Sequence, residues 1–275
     1  MTGKITLNKL REMKKKGEKI SALTAYDYPF ARMVDTAGVD IILVGDSLGM
    51  AFRGEDNTLK VTVDEMEYHT KAVRRGVERA FLVADMPFLS YHISVEKTVE
   101  NAGRLVAAGA EAVKLEGVGG VIEAARRLVA AGIPVMGHIG LTPQSIHQLG
   151  GFRVQGRQSD AARKIANDAH DLEQAGAFAI VLECIPVDLA GAISEQIKIP
   201  TIGIGAGPWC DGQILVTNDI LGMPSQFTPK FVKKYADLAG IVQGAAAAYV
   251  KETKKGSFPD DEHSYHSPPR RLKAI

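Results

Sequence analysis

The feature that most constrains the fold of this chain is a short pattern that recurs along it. A helix-like segment ends in a small residue and a glycine, and a short aliphatic run then ends in a polar or charged residue. Glycine adopts the left-handed conformation that ends helices, and an aliphatic run without polar alternation is typical of a strand buried on both faces. The pattern therefore predicts a parallel sheet covered by helices. It appears as TAG-VDIILVGD from Thr36, AAG-AEAVKLEG from Ala107, AAG-IPVMGHIG from Ala130 and QAG-AFAIVLEC from Gln174.

The predicted strands are numerous enough to close a barrel. Amphipathic stretches such as 64–78, 94–108, 121–131 and 158–175 lie between them. Eight strands with mostly helical connections are what a TIM (β/α)8 barrel requires, and 275 residues is within the size of one such domain. The strands are predicted at 20–25, 40–45, 80–85, 111–116, 134–138, 178–183, 200–204 and 214–218.

An open, doubly wound α/β sheet is the alternative architecture. Such sheets usually have fewer strands and carry a glycine-rich turn after the first one. Here the first strand is followed by Ala25-Tyr26-Asp27-Tyr28-Pro29, which contains no glycine. The sequence therefore favours the α/β class with a TIM barrel.

We expect a single catalytic barrel domain over residues 1–252 and a polar C-terminal tail over 253–275. An N-terminal helix is predicted because Leu7, Leu10 and Met13 form an apolar stripe among basic residues. A last helix is predicted over 229–251, because Thr228 is a suitable N-cap and Pro229 suits the first helical position. The tail contains prolines and has no hydrophobic period, so we expect it to gain any order from a neighbour.

Charge and cysteine content exclude several classes of partner. Lys+Arg 33 against Asp+Glu 32 leaves a net charge of +1, which provides no general attraction to nucleic acid or anionic lipid. Cys184 and Cys210 cannot form a four-ligand zinc site. No apolar run approaches the length of a membrane span. We therefore expect a cytoplasmic protein that binds neither nucleic acid nor membrane.

Polar residues end the predicted strands. In an α/β barrel these positions face the active-site mouth. Four carboxylates in one partly dehydrated mouth would repel one another unless a cation neutralised them, and oxygen ligands favour Mg²⁺. We expect Asp46 and Asp85 to hold this ion. The strand-end residues are Asp46, Asp85, Lys114, Glu116, His138 and Glu183.

A structural alternative is that these carboxylates cap the helices that follow them. For any single carboxylate this reading remains open. It suits the whole set poorly, because Glu116 and Glu183 continue apolar strands rather than precede helices.

The same positions suggest individual roles. Lys114 and Glu116 are two residues apart on one strand and share a face, which we place in the barrel interior, where the ammonium can meet an anionic substrate. Glu183 ends an apolar strand and is the candidate general base. His138 is either a supporting neighbour of the site, a proton carrier or a satisfied core residue. Cys184 is expected to pack rather than to act as a nucleophile.

Two loops have ambiguous patterns. Gly203, Gly205 and Gly207 resemble a phosphate-binding loop, but no Lys, Ser or Thr follows where a P-loop needs one, and a tight turn explains them equally well. The segment 140–151 contains proline, paired glycines and amides. We expect it to form a lid or an oligomer contact rather than to supply a catalytic group.

Long motifs of the chain closely resemble the ketopantoate hydroxymethyltransferase family over roughly residues 3–250. The resemblance implies a Mg²⁺-dependent TIM barrel that transfers a hydroxymethyl group from 5,10-methylenetetrahydrofolate to 3-methyl-2-oxobutanoate. The product is 2-dehydropantoate, formed through a Mg²⁺-stabilised enolate in the first step of pantothenate biosynthesis. The family forms ring-like homo-oligomers, often decamers. The motifs are TAYDYPFARMVDTAGVDIILVGDSLGM, VADMPFLSY, EAVKLEG, GIPVMGHIGLTPQSIHQLGGFRVQGR, AIVLECIP and PTIGIGAGPWCDGQILV.

The resemblance also implies residue roles. Asp46 and Asp85 match metal ligands that also contact substrate, and Glu116 matches a metal-linked glutamate. Ser47 and Lys114 match substrate-binding residues, and Glu183 matches the proton acceptor.

Two other functions remain open at this point. One is a Mg²⁺-dependent lyase or mutase of the phosphoenolpyruvate mutase and isocitrate lyase type, which would act without a one-carbon donor. The other is a catalytically silent barrel that serves as a scaffold or metabolite sensor, which would have little reason to keep four carboxylates and a lysine at one rim.

Overall fold

A computed structural model describes residues 3–224 and 228–267. Within those residues the strands form one closed barrel in which each strand is parallel to the next along the chain and the last pairs with the first. The predicted TIM barrel is confirmed, and each predicted strand overlaps an observed one. The strands are β1 (Ile20–Thr24), β2 (Ile41–Val44), β3 (Phe81–Asp85), β4 (Ala112–Glu116), β5 (Val135–Gly140), β6 (Ala179–Glu183), β7 (Thr201–Ile204) and β8 (Gly212–Leu215).

Helices surround the barrel. Several begin at side-chain caps, as in the helix that starts after Thr62, where Thr62 and Glu65 form a reciprocal capping box. The helices are α1 (Leu7–Lys16), α2 (Tyr28–Thr36), α3 (Leu48–Ala51), α4 (Val63–Arg74), α5 (Val95–Ala107), α6 (Gly120–Ala130), α7 (Ile146–Leu149), α8 (Ser159–Gln174), α9 (Val187–Gln196), α10 (Thr217–Ile220) and α11 (Leu238–Lys255), with a 3₁₀ turn at Pro143–Ser145.

Alternate residues of the strands point into the barrel and form a hydrophobic cluster toward the amino-terminal ends of the strands. Phe81 packs edge-on against Phe178, with 5.5 Å between the ring centroids. The helix α1, which the sequence predicted, adds Leu10 and Met13 to this cluster at the amino-terminal end of the barrel. Because side chains alternate along a strand, the next inward positions toward the carboxyl ends are those of the strand-end polar residues. The cluster also includes Ala22, Ile41, Leu43, Val83, Ala112, Met136, Ala179, Val181, Ile202 and Ile214.

The prediction for the last helix was wrong at its start. The helix α11 begins at Leu238, where the Asp237 side chain accepts from Gly240 N, and it ends at Lys255. Residues 228–237 instead return to the barrel, with Tyr235 N bonded to Ile220 O at 2.7 Å. Long-range hydrogen bonds thus override the local Thr-Pro signal. The helix also extends past 252, the boundary expected for the tail.

The helix α11 stands apart from the barrel core. Residues 240–255 are all exposed, including the apolar Ile241, Val242, Tyr249 and Val250. Among the helices in the described part of the chain, none combines the length and apolar character required to span a membrane.

Candidate functional site

The strand register brings the predicted residues together at the carboxyl ends of the barrel strands. Asp85 of β3 pairs with Lys114 of β4, and Glu116 of β4 pairs with His138 of β5. Glu183 lies two residues beyond Val181, the register partner of His138, and therefore shares its face. The predicted interior location of Lys114 and Glu116 is confirmed, since both are buried and share the face of Ala112, which belongs to the cluster inside the barrel.

Lys114 lies among three acidic side chains. Its Nζ is 2.6 Å from Asp85 Oδ1 and 3.3 Å from Glu116 Oε1. Burial alone would lower the pKa of Lys114, but Asp85, Glu116 and Asp46 raise it well above its ordinary value. The ammonium is therefore a permanent positive charge at the centre of the site.

Asp46 and Asp85 form a carboxylate pair. Asp46 N donates to Asp85 Oδ2 at 3.0 Å. A Cβ on Gly45 would lie 2.6 Å from Ser47 Oγ, so glycine leaves room for the Ser47 hydroxyl in the turn after β2. Burial, Asp85 and Glu116 raise the pKa of Asp46 well above its ordinary value, and burial also raises the pKa of Asp85. The pair would therefore be stabilised in its ionised form by an added cation.

His138 lies between two carboxylates. Its Nδ1 is 3.0 Å from Glu116 Oε1, and its Nε2 is 3.1 Å from Glu183 Oε2. Burial lowers the pKa of His138, but Glu116 and Glu183 together raise it to about 9. Burial would raise the pKa of Glu116, yet Lys114 and His138 hold it at about 2. The imidazolium thus joins the predicted base to the rest of the site, a role that the sequence left undecided.

Ser47 lies beside Asp46 and is oriented by a residue that sequence reasoning missed. Its Oγ is 2.9 Å from the Tyr26 hydroxyl. The backbone oxygen of Tyr26 is in turn 2.6 Å from His69 Nδ1. Tyr26 is buried, and burial raises its pKa above the ordinary value. Its position directly after β1 was the available signal, since this strand end also faces the mouth.

Two further buried residues were missed. Gln144 donates from Nε2 to Asp46 Oδ2 at 2.8 Å, and Tyr91 donates to Gln144 Oε1 at 2.6 Å. Gln144 belongs to segment 140–151, which we expected to be a lid or an oligomer contact. That expectation missed Gln144, whose side chain donates to Asp46 and whose backbone N–H donates to Glu116. No local pattern marked Gln144 for this role.

The donor set fits Mg²⁺ in part. Asp85 Oδ1 is buried and 2.6 Å from Lys114 Nζ, but no contact in the described residues gives it a hydrogen bond of standard geometry, so a lone pair remains for a cation. Asp46 and Asp85 carry oxygen donors of the kind that Mg²⁺ prefers. In residues 3–224 and 228–267, however, no three Asp, Glu, His or Cys side chains form a ready-made ligand set. Glu116, the third predicted ligand, has both oxygens engaged by His138 and by Gln144 N.

The glycine loop after β7 is a tight turn. Gly205 and Gly207 have positive φ angles, and β8 rather than a helix follows the loop. A Cβ on Gly205 would lie 2.6 Å from the Phe231 ring and 3.2 Å from Cys184 Sγ. The loop is thus filled by protein side chains. Cys184 packs here as expected, and burial raises the pKa of its thiol to about 12.

Comparisons with known proteins agree with the sequence motifs. The 3-methyl-2-oxobutanoate hydroxymethyltransferase of Thermoanaerobacter sp. (strain X514) is 57% identical over 266 residues, covering 96% of this chain and 97% of that protein. The enzyme of the same name from Syntrophus aciditrophicus (strain SB) is 56% identical over 263 residues, covering 95% and 97%.

Solved structures of similar fold include a phosphonopyruvate hydrolase complex with oxalate and Mg²⁺, with a TM-score of 0.61 at 14% identity over 94% of this chain and 92% of that one. Another is 2,3-dimethylmalate lyase, a PEP mutase/isocitrate lyase superfamily member, with a TM-score of 0.58 at 15% identity over 94% and 91%. At these identities the likeness shows the fold alone. Enzymes of the lyase type thus share the barrel fold of this chain. Its amino-acid sequence, however, matches the hydroxymethyltransferases described above.

The family model described as ketopantoate hydroxymethyltransferase matches residues 4–261, about ten residues beyond the expected end of the resemblance. Together with relatives that share more than half of their residues across nearly the whole length, this match shows that the chain belongs to the ketopantoate hydroxymethyltransferase family.

Proposed function

We propose that this chain transfers a hydroxymethyl group from 5,10-methylenetetrahydrofolate to 3-methyl-2-oxobutanoate, forming 2-dehydropantoate and tetrahydrofolate in the first step of pantothenate biosynthesis. The observation that carries the proposal is one chain of contacts at the carboxyl end of the barrel. It runs through Asp46, Asp85, Lys114, Glu116, His138 and Glu183. The two relatives described above are named as hydroxymethyltransferases of 3-methyl-2-oxobutanoate, which supports the transferred group and its acceptor.

The site is suited to a small anionic keto acid. The Lys114 ammonium and the Ser47 hydroxyl supply a positive charge and a hydrogen-bond donor for the carboxylate and carbonyl oxygens. Asp46 and Asp85 would hold Mg²⁺, which when bound polarises the carbonyl and neutralises negative charge on the substrate oxygens. Glu116 supports this arrangement by pairing with Lys114 and His138.

Glu183 is placed to act as the base. Its carboxylate accepts the proton from C3 of the keto acid, and the C–H electron pair moves toward the carbonyl. His138 holds the Glu183 carboxylate in place before the transfer. Lys114 meets the negative charge that develops on the substrate oxygen. The donor's methylene carbon exchanges its two bonds to the folate nitrogens for a bond to C3 and a hydroxyl from water, and the nitrogens take up protons to leave tetrahydrofolate. Fixing both reactants in one mouth lowers the entropic part of the barrier.

We further propose a homo-oligomer, most simply a decamer, in the cytoplasm. The exposed apolar residues of α11, including Ile241, Val242 and Tyr249, favour burial against a second copy of the chain. Both cysteines are free thiols, which suits a reducing compartment. Sedimentation velocity should give a mass near ten times 29.5 kDa, and a monomer at micromolar concentration would refute the oligomer.

The activity is tested by incubating the protein with both substrates, with and without Mg²⁺, and measuring 2-dehydropantoate. Formation of product only when folate donor and Mg²⁺ are present is expected. Turnover of a 2-oxo acid without the donor would favour a lyase, and binding without turnover would favour a sensor.

The role of Glu183 is tested with Glu183→Gln. We expect this variant to bind 3-methyl-2-oxobutanoate while exchange of its C3 proton with deuterated water, followed by NMR, is lost. Exchange at the wild-type rate would show that another group is the base.

A further inference from the structure

Both hydrogens and the oxygen of the Gln144 amide are hydrogen-bonded inside the protein. Its Nε2 donates to Asp46 Oδ2 at 2.8 Å and to Met86 O at 2.9 Å. Its Oε1 accepts from the Tyr91 hydroxyl at 2.6 Å. Gln144 is 5% exposed and Tyr91 is 3% exposed. Since both amide hydrogens and the oxygen are used, the side chain has one orientation.

Tyr91 determines which way this amide points. Its hydroxyl accepts from Glu116 N at 3.1 Å. Its single proton has two acceptors in reach, Gln144 Oε1 at 2.6 Å and Glu116 O at 3.2 Å, and the shorter contact is to Gln144. With the amide oxygen held by Tyr91, the NH₂ group must face Asp46. Gln144 also donates its backbone N–H to Glu116 Oε2 at 3.0 Å.

Gln144 therefore contacts two site carboxylates that come from different strands. Asp46 follows β2 and Glu116 ends β4, whereas Gln144 lies in the 3₁₀ turn after β5. A carboxylate that is already held in one rotamer loses less freedom when it binds a ligand, so its affinity for that ligand is higher. Groups that orient metal-holding side chains act on affinity in this way.

We infer that Tyr91 and Gln144 are a positioning pair that orients Asp46 and Glu116 for binding of Mg²⁺ and the keto acid. The inference rests on the proposed function for the identity of these ligands. Neither residue need touch substrate, so both act through the carboxylates. A purely structural role would instead anchor segment 140–151 without affecting ligand affinity.

The experiment measures Mg²⁺ binding by calorimetry in the presence of 3-methyl-2-oxobutanoate. The variants are Gln144→Met, which keeps much of the volume but removes both donors, and Tyr91→Phe, which removes only the hydroxyl. Gln148→Ala is the matched control, because Gln148 is exposed in the same segment. Circular dichroism and unfolding midpoints of the metal-free proteins establish that each variant is folded.

We expect Gln144→Met to weaken Mg²⁺ binding by about 10- to 100-fold and Tyr91→Phe to weaken it less. Most of the Tyr91→Phe effect should vanish in the Gln144→Met background, because the hydroxyl acts through the amide. Gln148→Ala should bind like the wild type. Wild-type affinity in folded Gln144→Met would overturn the inference.

A crystal structure of metal-free Gln144→Met separates this inference from the proposed function. We expect the Asp46 side chain to change rotamer or to show more than one. An unchanged, single Asp46 conformation would overturn the positioning role whether or not the protein uses Mg²⁺ or folate. Failure of the wild-type protein to bind Mg²⁺ would instead refute the proposed metal and leave the crystallographic comparison to decide the inference.

Discussion

The imidazole of His138 and the carboxylate of Glu183 face each other at the ends of neighbouring strands, with 3.1 Å between Nε2 and Oε2. The other ring nitrogen of His138 is 3.0 Å from Glu116. One imidazolium therefore lies within ion-pair distance of two carboxylates, and it connects the proposed base to the charged centre of the site. This arrangement explains why a histidine is useful here without requiring it to touch the substrate.

Replacing His138 should impair proton abstraction. In His138→Asn the shorter, neutral side chain no longer holds Glu183, so we expect kcat and the C3 exchange rate to fall by about 10- to 100-fold. NMR exchange in deuterated water and steady-state assays measure the two effects. His147→Asn is the control, since His147 is exposed on α7. Wild-type exchange in His138→Asn would show that Glu183 is positioned by other groups.

Removing the Lys114 charge should destabilise the fold. Asp85 and Glu116 would be left as buried carboxylates without their cation, and breaking such a buried pair typically costs about 3–5 kcal/mol. We therefore expect Lys114→Met to lower the free energy of unfolding by that amount, measured with chemical denaturant. Lys164→Met, at an exposed position of α8, should change it little. A loss in Lys114→Met no larger than in this control would show that the carboxylates find other compensation.

The barrel and most of its charged site could be predicted because both follow from local periodicity. Alternation along β4 places Lys114 and Glu116 on one face, and parallel strands bring their carboxyl ends to the same rim. The glycines after α2, α5, α6 and α8 marked where the next strands begin.

The contacts between distant segments could not be predicted in the same way. Gln144 reaches Asp46 across 98 positions of sequence, and nothing in its local pattern distinguishes it from the exposed Gln148. The start of α11 was missed for a related reason, because hydrogen bonds from Tyr235 and Leu238 to the segment after β8 compete with the cap signal at Thr228.

Cys184 should tolerate glycine better than alanine. Its φ angle is 48°, in the left-handed region where a Cβ costs about 1–2 kcal/mol. Cys184→Gly and Cys184→Ala both remove the thiol, so their difference isolates the backbone effect. We expect Cys184→Gly to be more stable by about 1 kcal/mol in denaturant unfolding, and both variants to retain activity. A more stable alanine variant would indicate that packing of the β-carbon outweighs the backbone conformation.

Asp35 should make stability depend on pH at the opposite end of the barrel. Its buried carboxylate accepts from the backbone N–H groups of Glu78, Arg79 and Ala80, the last at 2.7 Å. Burial alone would raise the pKa of Asp35, but these hydrogen bonds lower it below its ordinary value. A carboxyl group whose pKa is lowered in the folded state stabilises the fold at pH values above its unfolded-state pKa of about 3.9. This stabilisation is lost as pH falls through the folded-state pKa.

We expect Asp35→Asn to lower the free energy of unfolding by about 2 kcal/mol at pH 7, because the amide presents one acceptor and two donors to a set of donors. The difference from wild type should shrink below pH 4, whereas Asp160→Asn, whose side chain is 97% exposed, should show little difference at either pH. A cost that stayed constant down to pH 2 would mean that Asp35 contributes through packing rather than through its charge.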